Sequence, residues 1–137
     1  MIVEISSTNF RSFRTTQTLS MVKGKGDELP ENTFQVENIK DLDLLHSVAI
    51  YGANASGKSN LLRAVRSMKR IVTESSQRGI SLPLVPFKFN KDNLHKPTEF
   101  EIVFIVNKVR YQYGFSATEE QIFDEWLFAY PRGRAQK

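Results

Sequence analysis

Apolar and polar residues alternate at the start of the chain, from Ile2 to Ser6, and the segment is rich in β-branched residues, which predicts a strand. The stretch from Gln17 to Val22 predicts a second strand, so an antiparallel pair is expected here. The sequence KGKGDELPEN then has the Gly, Pro, Asp and Asn content of an exposed loop. A short strand is predicted from Phe34 to Val36.

The next apolar run, from Val48 to Tyr51, ends directly at Gly52 and predicts a short buried strand. Beyond it, apolar residues recur at spacings that gather them on one helical face: Leu61, Leu62, Ala64, Val65, Met68, Ile71 and Val72. The opposite face carries Arg63, Arg66, Lys69 and Arg70. We interpret these four charges as a solvated surface, with a functional basic stripe as the alternative.

From Ser75 to Pro97 the periodicity is lost, and two prolines in SLPLVPFKFN predict an irregular or edge segment. Three strands in a meander are predicted after it. The first has Phe100, Ile102, Phe104 and Val106 on one face, and the second has Val109, Tyr111, Tyr113 and Phe115. Asn107 and Lys108 form the tight turn between them, and the third strand runs from Ile122 to Tyr130. The basic tail PRGRAQK is expected to be frayed.

Composition narrows the classes of function. The chain has 137 residues, 40% hydrophobic and 25% charged, which is typical of one soluble globular domain. No apolar run is long enough to span a bilayer and no secretory signal is evident, so a cytoplasmic protein with no membrane partner is expected. The absence of cysteine excludes disulfides and thiolate ligands. His46 and His95 lie too far apart for a helical ligand pair. The net charge of +4 is compatible with nucleic acid, and equally with nucleotide binding alone.

The segment AIYGANASGKSNLL contains the complete pattern G-x-x-x-x-G-K-[ST], from Gly52 to Ser59. Gly52 and Gly57 let backbone N–H groups turn inward around a phosphate. The residues between them are small and allow close approach of the main chain: Ala53, Asn54, Ala55 and Ser56. Lys58 supplies the charge that bridges the terminal phosphates and is the candidate catalytic residue. Ser59 offers a hydroxyl to Mg²⁺ at a helix N-terminus, so a nucleotide with Mg²⁺ is the predicted ligand.

Two other segments resemble nucleotide motifs, and each departs from its motif. NKDN, from Asn90 to Asn93, is similar to the guanine-reading N-K-x-D motif, but Asn93 stands where the base-binding carboxylate is required. IFDEW, from Ile122 to Trp126, is similar to the strand whose Asp-Glu pair holds Mg²⁺ and polarises water. Polar residues precede it where an apolar strand should lie, so we interpret Asp124 and Glu125 as solvent-facing strand or turn residues.

A combination of segments makes the family recognisable: an opening strand followed by NFRSF (Asn9 to Phe13), then TLSMV, AIYGANASGKSNLLRAV, PTEFEIVF and YQYGF. The chain resembles the N-terminal lobe of ABC-type ATPases of the RecF and SMC branch, especially AAA-family ATPases of bacterial phage-defence and OLD-like systems. The resemblance implies an α/β P-loop NTPase fold, in which a mixed sheet with an antiparallel β-meander packs around the P-loop helix. A single lobe is expected: residues 1–45 as strand pair and loop, 46–75 as strand, P-loop and helix, and 76–137 as irregular segment and meander.

The resemblance also implies site residues. Asn54, Gly57, Lys58, Ser59 and Asn60 would bind the phosphates and Mg²⁺. Arg11 and Ser12, in the loop after the first strand, would contact the phosphates or sugar, with a surface arginine as the alternative for Arg11. The family's signature segment, Asp-Glu strand and switch histidine are not recognisable here. We therefore expect the beginning of a longer ATPase, which binds ATP but does not hydrolyse it efficiently alone.

The implied function is that of an ATP-driven machine whose heads dimerise, acting on DNA or licensing an associated nuclease effector. The alternative is a non-catalytic lobe that binds or regulates a partner ATPase. A small-molecule kinase is disfavoured, because the predicted meander occupies the region where a kinase carries its lid and acceptor pocket.

Overall fold

A computed structural model of the protein describes residues 1–26, 29–37, 39–74 and 81–131. Five strands form the main sheet in the order β2-β1-β5-β6-β7, and two form a small second sheet, β3-β4. The strands are β1 Ile2–Thr8, β2 Gln17–Ser20, β3 Thr33–Gln35, β4 Asp43–Leu45, β5 Thr98–Val106, β6 Val109–Ala117 and β7 Ile122–Tyr130. The helices are α1 Lys58–Glu74, the four-residue α2 Lys91–Leu94 and a 3₁₀ turn, Pro30–Asn32.

The early strand pair and the meander are confirmed. Strands β1 and β2 pair antiparallel, with Ile5 opposite Leu19, and β5, β6 and β7 follow one another as antiparallel neighbours. Asn107 and Lys108 both adopt left-handed backbone conformations, with φ of 49° and 66°. Two successive positive φ values are typical of the two-residue turn whose twist matches that of a hairpin, and this explains the tight connection between β5 and β6.

Each face of the main sheet carries an apolar cluster. On one face α1 packs its buried residues Ala64, Met68 and Ile71 into a cluster with aromatic side chains of the sheet, including Phe100 and Phe115. On the other face the β3-β4 hairpin covers a second cluster: Val3, Val36, Leu44 and Ile105. Because both faces lose water, β5 is apolar at successive positions rather than in strict alternation.

The buried strand predicted from Val48 to Tyr51 is wrong. These residues form no strand, and Val48, Ile50 and Tyr51 are 44%, 42% and 89% exposed. A β-rich run becomes a strand only where a neighbour completes its hydrogen bonds, and no described strand pairs with this segment. The expectation of a mixed sheet is wrong for the same reason, since all pairings among the described strands are antiparallel.

The helix is confirmed, but its apolar face is only partly buried. Leu62 and Val72, predicted to face the core, are 69% and 52% exposed. At 3.6 residues per turn the seven apolar positions span about half of the helix circumference, and the sheet covers a narrower arc. The helix therefore has an uncovered apolar strip beside its buried one.

The predicted irregular segment is confirmed where the structure describes it, since residues 81–90 form no helix or strand. The predictions for residues 27–28, 75–80 and the tail 132–137 lie outside the described residues. Among the described residues, no helix has both the length and the apolar character that crossing a membrane requires.

Candidate phosphate-binding site

The phosphate loop runs from the exposed segment before Gly52 directly into α1. Ala55 and Gly57 adopt positive φ values of 64° and 97°, and the Ser56 N–H donates to the Ala53 carbonyl at 3.3 Å. The conformation at Gly57 is one that L side chains rarely adopt, which gives the second glycine of the motif its physical reason. The loop is thus a tight turn that wraps around the start of the helix.

The turn after β1 packs against this loop. Phe10 and Phe13 exchange backbone hydrogen bonds at 3.0 and 2.8 Å, which closes a tight turn over Arg11 and Ser12. A Cβ added to Gly57 would lie 3.2 Å from both the Phe13 ring and the Ser12 Oγ. The absence of a side chain at Gly57 therefore permits close approach of this turn as well as the loop conformation.

A hydrogen bond joins the two segments directly. The Asn60 Nδ2 donates to the Ser12 Oγ at 2.8 Å, and the Asn60 Oδ1 accepts from the Arg63 Nη1 at 2.9 Å. Asn60 lies in the first turn of α1 and so connects the phosphate loop with the turn after β1. Ser12 is thereby placed against the motif, and Arg11 lies in the adjoining groove beside Arg63.

The side chain of Asn9 holds the turn after β1 in place through hydrogen bonds to residues 87–97. Asn9 was assigned no role from the sequence. It is buried, has a φ of 53°, and its Nδ2 donates to the carbonyls of Asn93, Lys96 and Pro97 at 2.9, 2.8 and 3.3 Å. Its Oδ1 accepts from the Phe87 N–H at 3.0 Å and from the Asn93 Nδ2 at 3.1 Å. Asparagine carries both donors and an acceptor in one side chain and tolerates a left-handed backbone. Its presence directly after a predicted strand was the one sequence feature that could have indicated this role.

The Lys58 ammonium lies over the loop. Its Nζ donates to the Gly52 and Ala53 carbonyls at 2.6 and 2.7 Å. At the start of α1 the Asn60 and Leu61 N–H groups donate to the Gly57 carbonyl at 2.8 and 3.2 Å, and the helix dipole favours an anion at this end. The N-terminal end of α1 therefore favours an anion, with the Lys58 cation held close to it by the loop.

A cavity of about 390 Å³ lies beside the loop. It is lined by Asn54, Ala55, Ser56, Gly57, Lys58, Ser59, Asn60 and Arg63. Most of the predicted loop residues are thus brought together, whereas Gly52 and Ala53, whose carbonyls accept from Lys58, do not line the cavity. Arg11 and Ser12 do not line it either. The lining combines cations, amides and hydroxyls, a donor set that fits a polyphosphate, and Ser59 is exposed with a hydroxyl available to a metal ion.

The two other motif-like segments have structural roles. Asn90 caps α2 by accepting from the Asp92 N–H at 2.8 Å, and Asn93 belongs to the Asn9 network. Asp124 and Glu125 are exposed residues of β7, as predicted. Their carboxylates accept hydrogen bonds from Ser116 and Tyr113 across the sheet.

A complete phosphate loop on a helix that packs against a sheet defines the class of P-loop NTPases. A family model described as "AAA domain, putative AbiEii toxin, Type IV TA system" matches residues 47–136, which begin just before the loop and include the meander. The chain belongs to this family of AAA domains and carries an AAA-type, ATPase-like nucleotide-binding domain. A search of curated proteins found no match.

Proposed function

We propose that the chain binds ATP with Mg²⁺ at the phosphate loop. The observation that carries the proposal is that Lys58, Ser59 and the loop residues 54–57 line one cavity at the N-terminal end of α1. Lys58 would exchange its two carbonyl acceptors for phosphate oxygens, and the N–H groups of the loop would hold the β-phosphate. Bound Mg²⁺ would neutralise charge on the phosphates, with Ser59 as its protein ligand.

The remaining loop residues position these groups. Asn54 and Asn60 bring amides to the cavity, and Asn60 is held by Ser12. In this proposal Arg11 and Ser12 approach the phosphates or sugar from the neighbouring turn. The hydrogen bond between Asn60 and Ser12 supports this role, because it joins the turn to the first turn of the helix that follows the phosphate loop.

Hydrolysis, in this proposal, requires groups beyond these residues. Among the described residues, the cavity lining contains no carboxylate that could orient an attacking water. We therefore assign water activation to C-terminal segments of an ABC- or SMC-like ATPase and to closure of a second head over the nucleotide. The proposed context is DNA metabolism or anti-phage defence with a nuclease effector; the family description names a toxin of a type IV toxin–antitoxin system.

The same observation favours a second candidate, a non-catalytic lobe that binds nucleotide and regulates a partner ATPase. The two functions differ in turnover. ATP hydrolysis on addition of a second head supports the first, and a stable nucleotide-bound complex without turnover supports the second.

The test uses a fluorescent ATP analogue in titrations of the wild-type chain, Lys58→Ala and the matched control Lys69→Ala. Lys69 is an exposed lysine of the same helix outside the cavity. Removing charge-assisted hydrogen bonds at Lys58 should weaken binding by about tenfold or more. Equal affinity of the two variants would contradict the site. Phosphate release by the chain alone would contradict the need for outside groups.

A further inference from the structure

A second cavity, of about 490 Å³, lies beside the phosphate loop between α1 and residues 81–85. We call it the arginine groove. Its charged residues are Arg11, Arg63, Arg66, Arg70 and Glu119. Arg63 also lines the phosphate-loop cavity, so the two spaces adjoin.

The fold builds this groove from distant segments. Arg11 is placed by its own backbone, whose N–H donates to the Val85 carbonyl at 2.8 Å. The wall formed by residues 81–85 is fixed from the other side, because the Leu82 N–H donates to the Glu119 carbonyl at 2.8 Å. Leu84 is buried in the core and anchors the same wall. The four arginines therefore meet across a supported cavity rather than along one mobile loop.

The positions on α1 show that this is a distinct surface. Arg63, Arg66 and Arg70 follow at intervals of three and four residues, which places them on one side of the helix. Lys69, grouped with them from the sequence, lies on the other side and lines a nearly apolar cavity with Val72. Three of the four basic residues grouped from the sequence thus line one groove together with Arg11.

Charge in the groove is unbalanced. Like charges three and four residues apart destabilise a helix, and the nearby carboxylates offset only part of this. Glu74 pairs with the Arg70 Nε at 2.9 Å, and the Glu119 Oε1 accepts from the Ser81 Oγ at 2.7 Å. Arg63 is directed by its bond to Asn60. An anionic ligand along the groove would relieve the remaining repulsion.

We propose that the arginine groove binds the phosphodiester backbone of a nucleic-acid strand. The row from Arg63 to Arg70 is about 10 Å long at 1.5 Å per residue, and phosphates of one B-form strand follow at about 3.4 Å along the axis, so the row spans about three phosphate-to-phosphate steps. Guanidinium forks bind phosphate oxygens in pairs, and Ser67 adds a hydroxyl to the lining. This inference names the surface that would contact DNA in the proposed function, and it rests on the proposed function in that respect alone.

The experiment is fluorescence anisotropy of a labelled 20-nucleotide single strand with the wild-type chain, Arg66→Ala/Arg70→Ala and the control Lys69→Ala, at several salt concentrations. The double variant should bind about a hundredfold more weakly, since two charge-assisted contacts are lost. Its slope of log affinity against log salt should fall by about 1.4. Lys69→Ala should retain wild-type affinity and slope.

Three results would overturn the proposal. One is equal weakening by Lys69→Ala, which would show diffuse attraction; another is no strand binding at low salt. The third is displacement of the strand by poly-glutamate at equal charge, which would indicate a groove for acidic protein segments. Titration of the same samples with the ATP analogue separates this outcome from failure of the phosphate site, and circular dichroism verifies that the variants are folded.

Discussion

Asn60 donates a hydrogen bond to the Ser12 Oγ at 2.8 Å across 48 residues of sequence, and this bond ties the turn after β1 to the helix that begins in the phosphate loop. Both residues lie at the surface, where a neutral hydrogen bond contributes modestly to stability. Its main consequence is geometric, because it fixes the position of the turn that carries Arg11 relative to the phosphate loop.

A double-mutant cycle tests this relationship. Ser12→Ala, Asn60→Ala and the double variant should show a coupling of about 0.5–1 kcal/mol in the free energy of unfolding. Urea unfolding measures the coupling, and nucleotide titrations show whether it also affects affinity. Additive effects in both measurements would mean that the turn and the loop are independent.

Gly57→Ala should damage the phosphate loop. Its φ of 97° is strained for alanine, and the new Cβ would meet Phe13 and Ser12 at 3.2 Å. We expect a loss of about 1 kcal/mol or more in unfolding free energy, with weaker ATP binding. The matched control is Gly24→Ala, where a Cβ meets nothing within 4 Å. Urea unfolding and nucleotide titration of both variants provide the comparison; identical behaviour would contradict the assigned role of Gly57.

Asn9→Ala should destabilise the fold strongly, because it removes the side-chain amide and leaves that amide's partners without their hydrogen bonds. We expect a cost of about 2–4 kcal/mol. Asn107→Ala is the control, since Asn107 also has a positive φ, of 49°, but lies in an exposed turn. Thermal or urea unfolding separates the backbone effect, shared by both variants, from loss of the network. A similar cost for the two would show that the network contributes little.

Tyr113 makes stability depend on alkaline pH. Burial, together with the hydrogen bond to Glu125 and the repulsion of its carboxylate, raises the pKa of the Tyr113 hydroxyl above its usual value. The folded state thus retains this proton more tightly than the unfolded state does. The contribution is complete below about pH 10, the unfolded pKa, and is lost as pH rises further. Urea unfolding at pH 8 and pH 11 should show a larger decrease for wild type than for Tyr113→Phe; equal decreases would contradict the assignment.

Local signals predicted much of this molecule. Alternation defined the meander, and the motif from Gly52 to Ser59 defined the loop. The strand predicted from Val48 to Tyr51 failed because pairing is non-local, and a segment's own residues do not reveal whether a neighbour is present. The Asn9 network, and the position of Arg11 beside the arginines of α1, were missed for the same reason. Their partners are separated by tens of residues, and only the packed chain brings them together.

The Asn9 network has a further consequence for how the molecule folds. Its hydrogen bonds join residues separated by 78 to 88 positions in sequence. Long loops must close before such contacts can form, so they contribute to slow folding and tend to form after the local meander hairpins. We therefore expect the turn beside the phosphate loop to be among the last parts of the chain to reach its final position, and loss of the Asn9 amide to accelerate unfolding more than it slows folding.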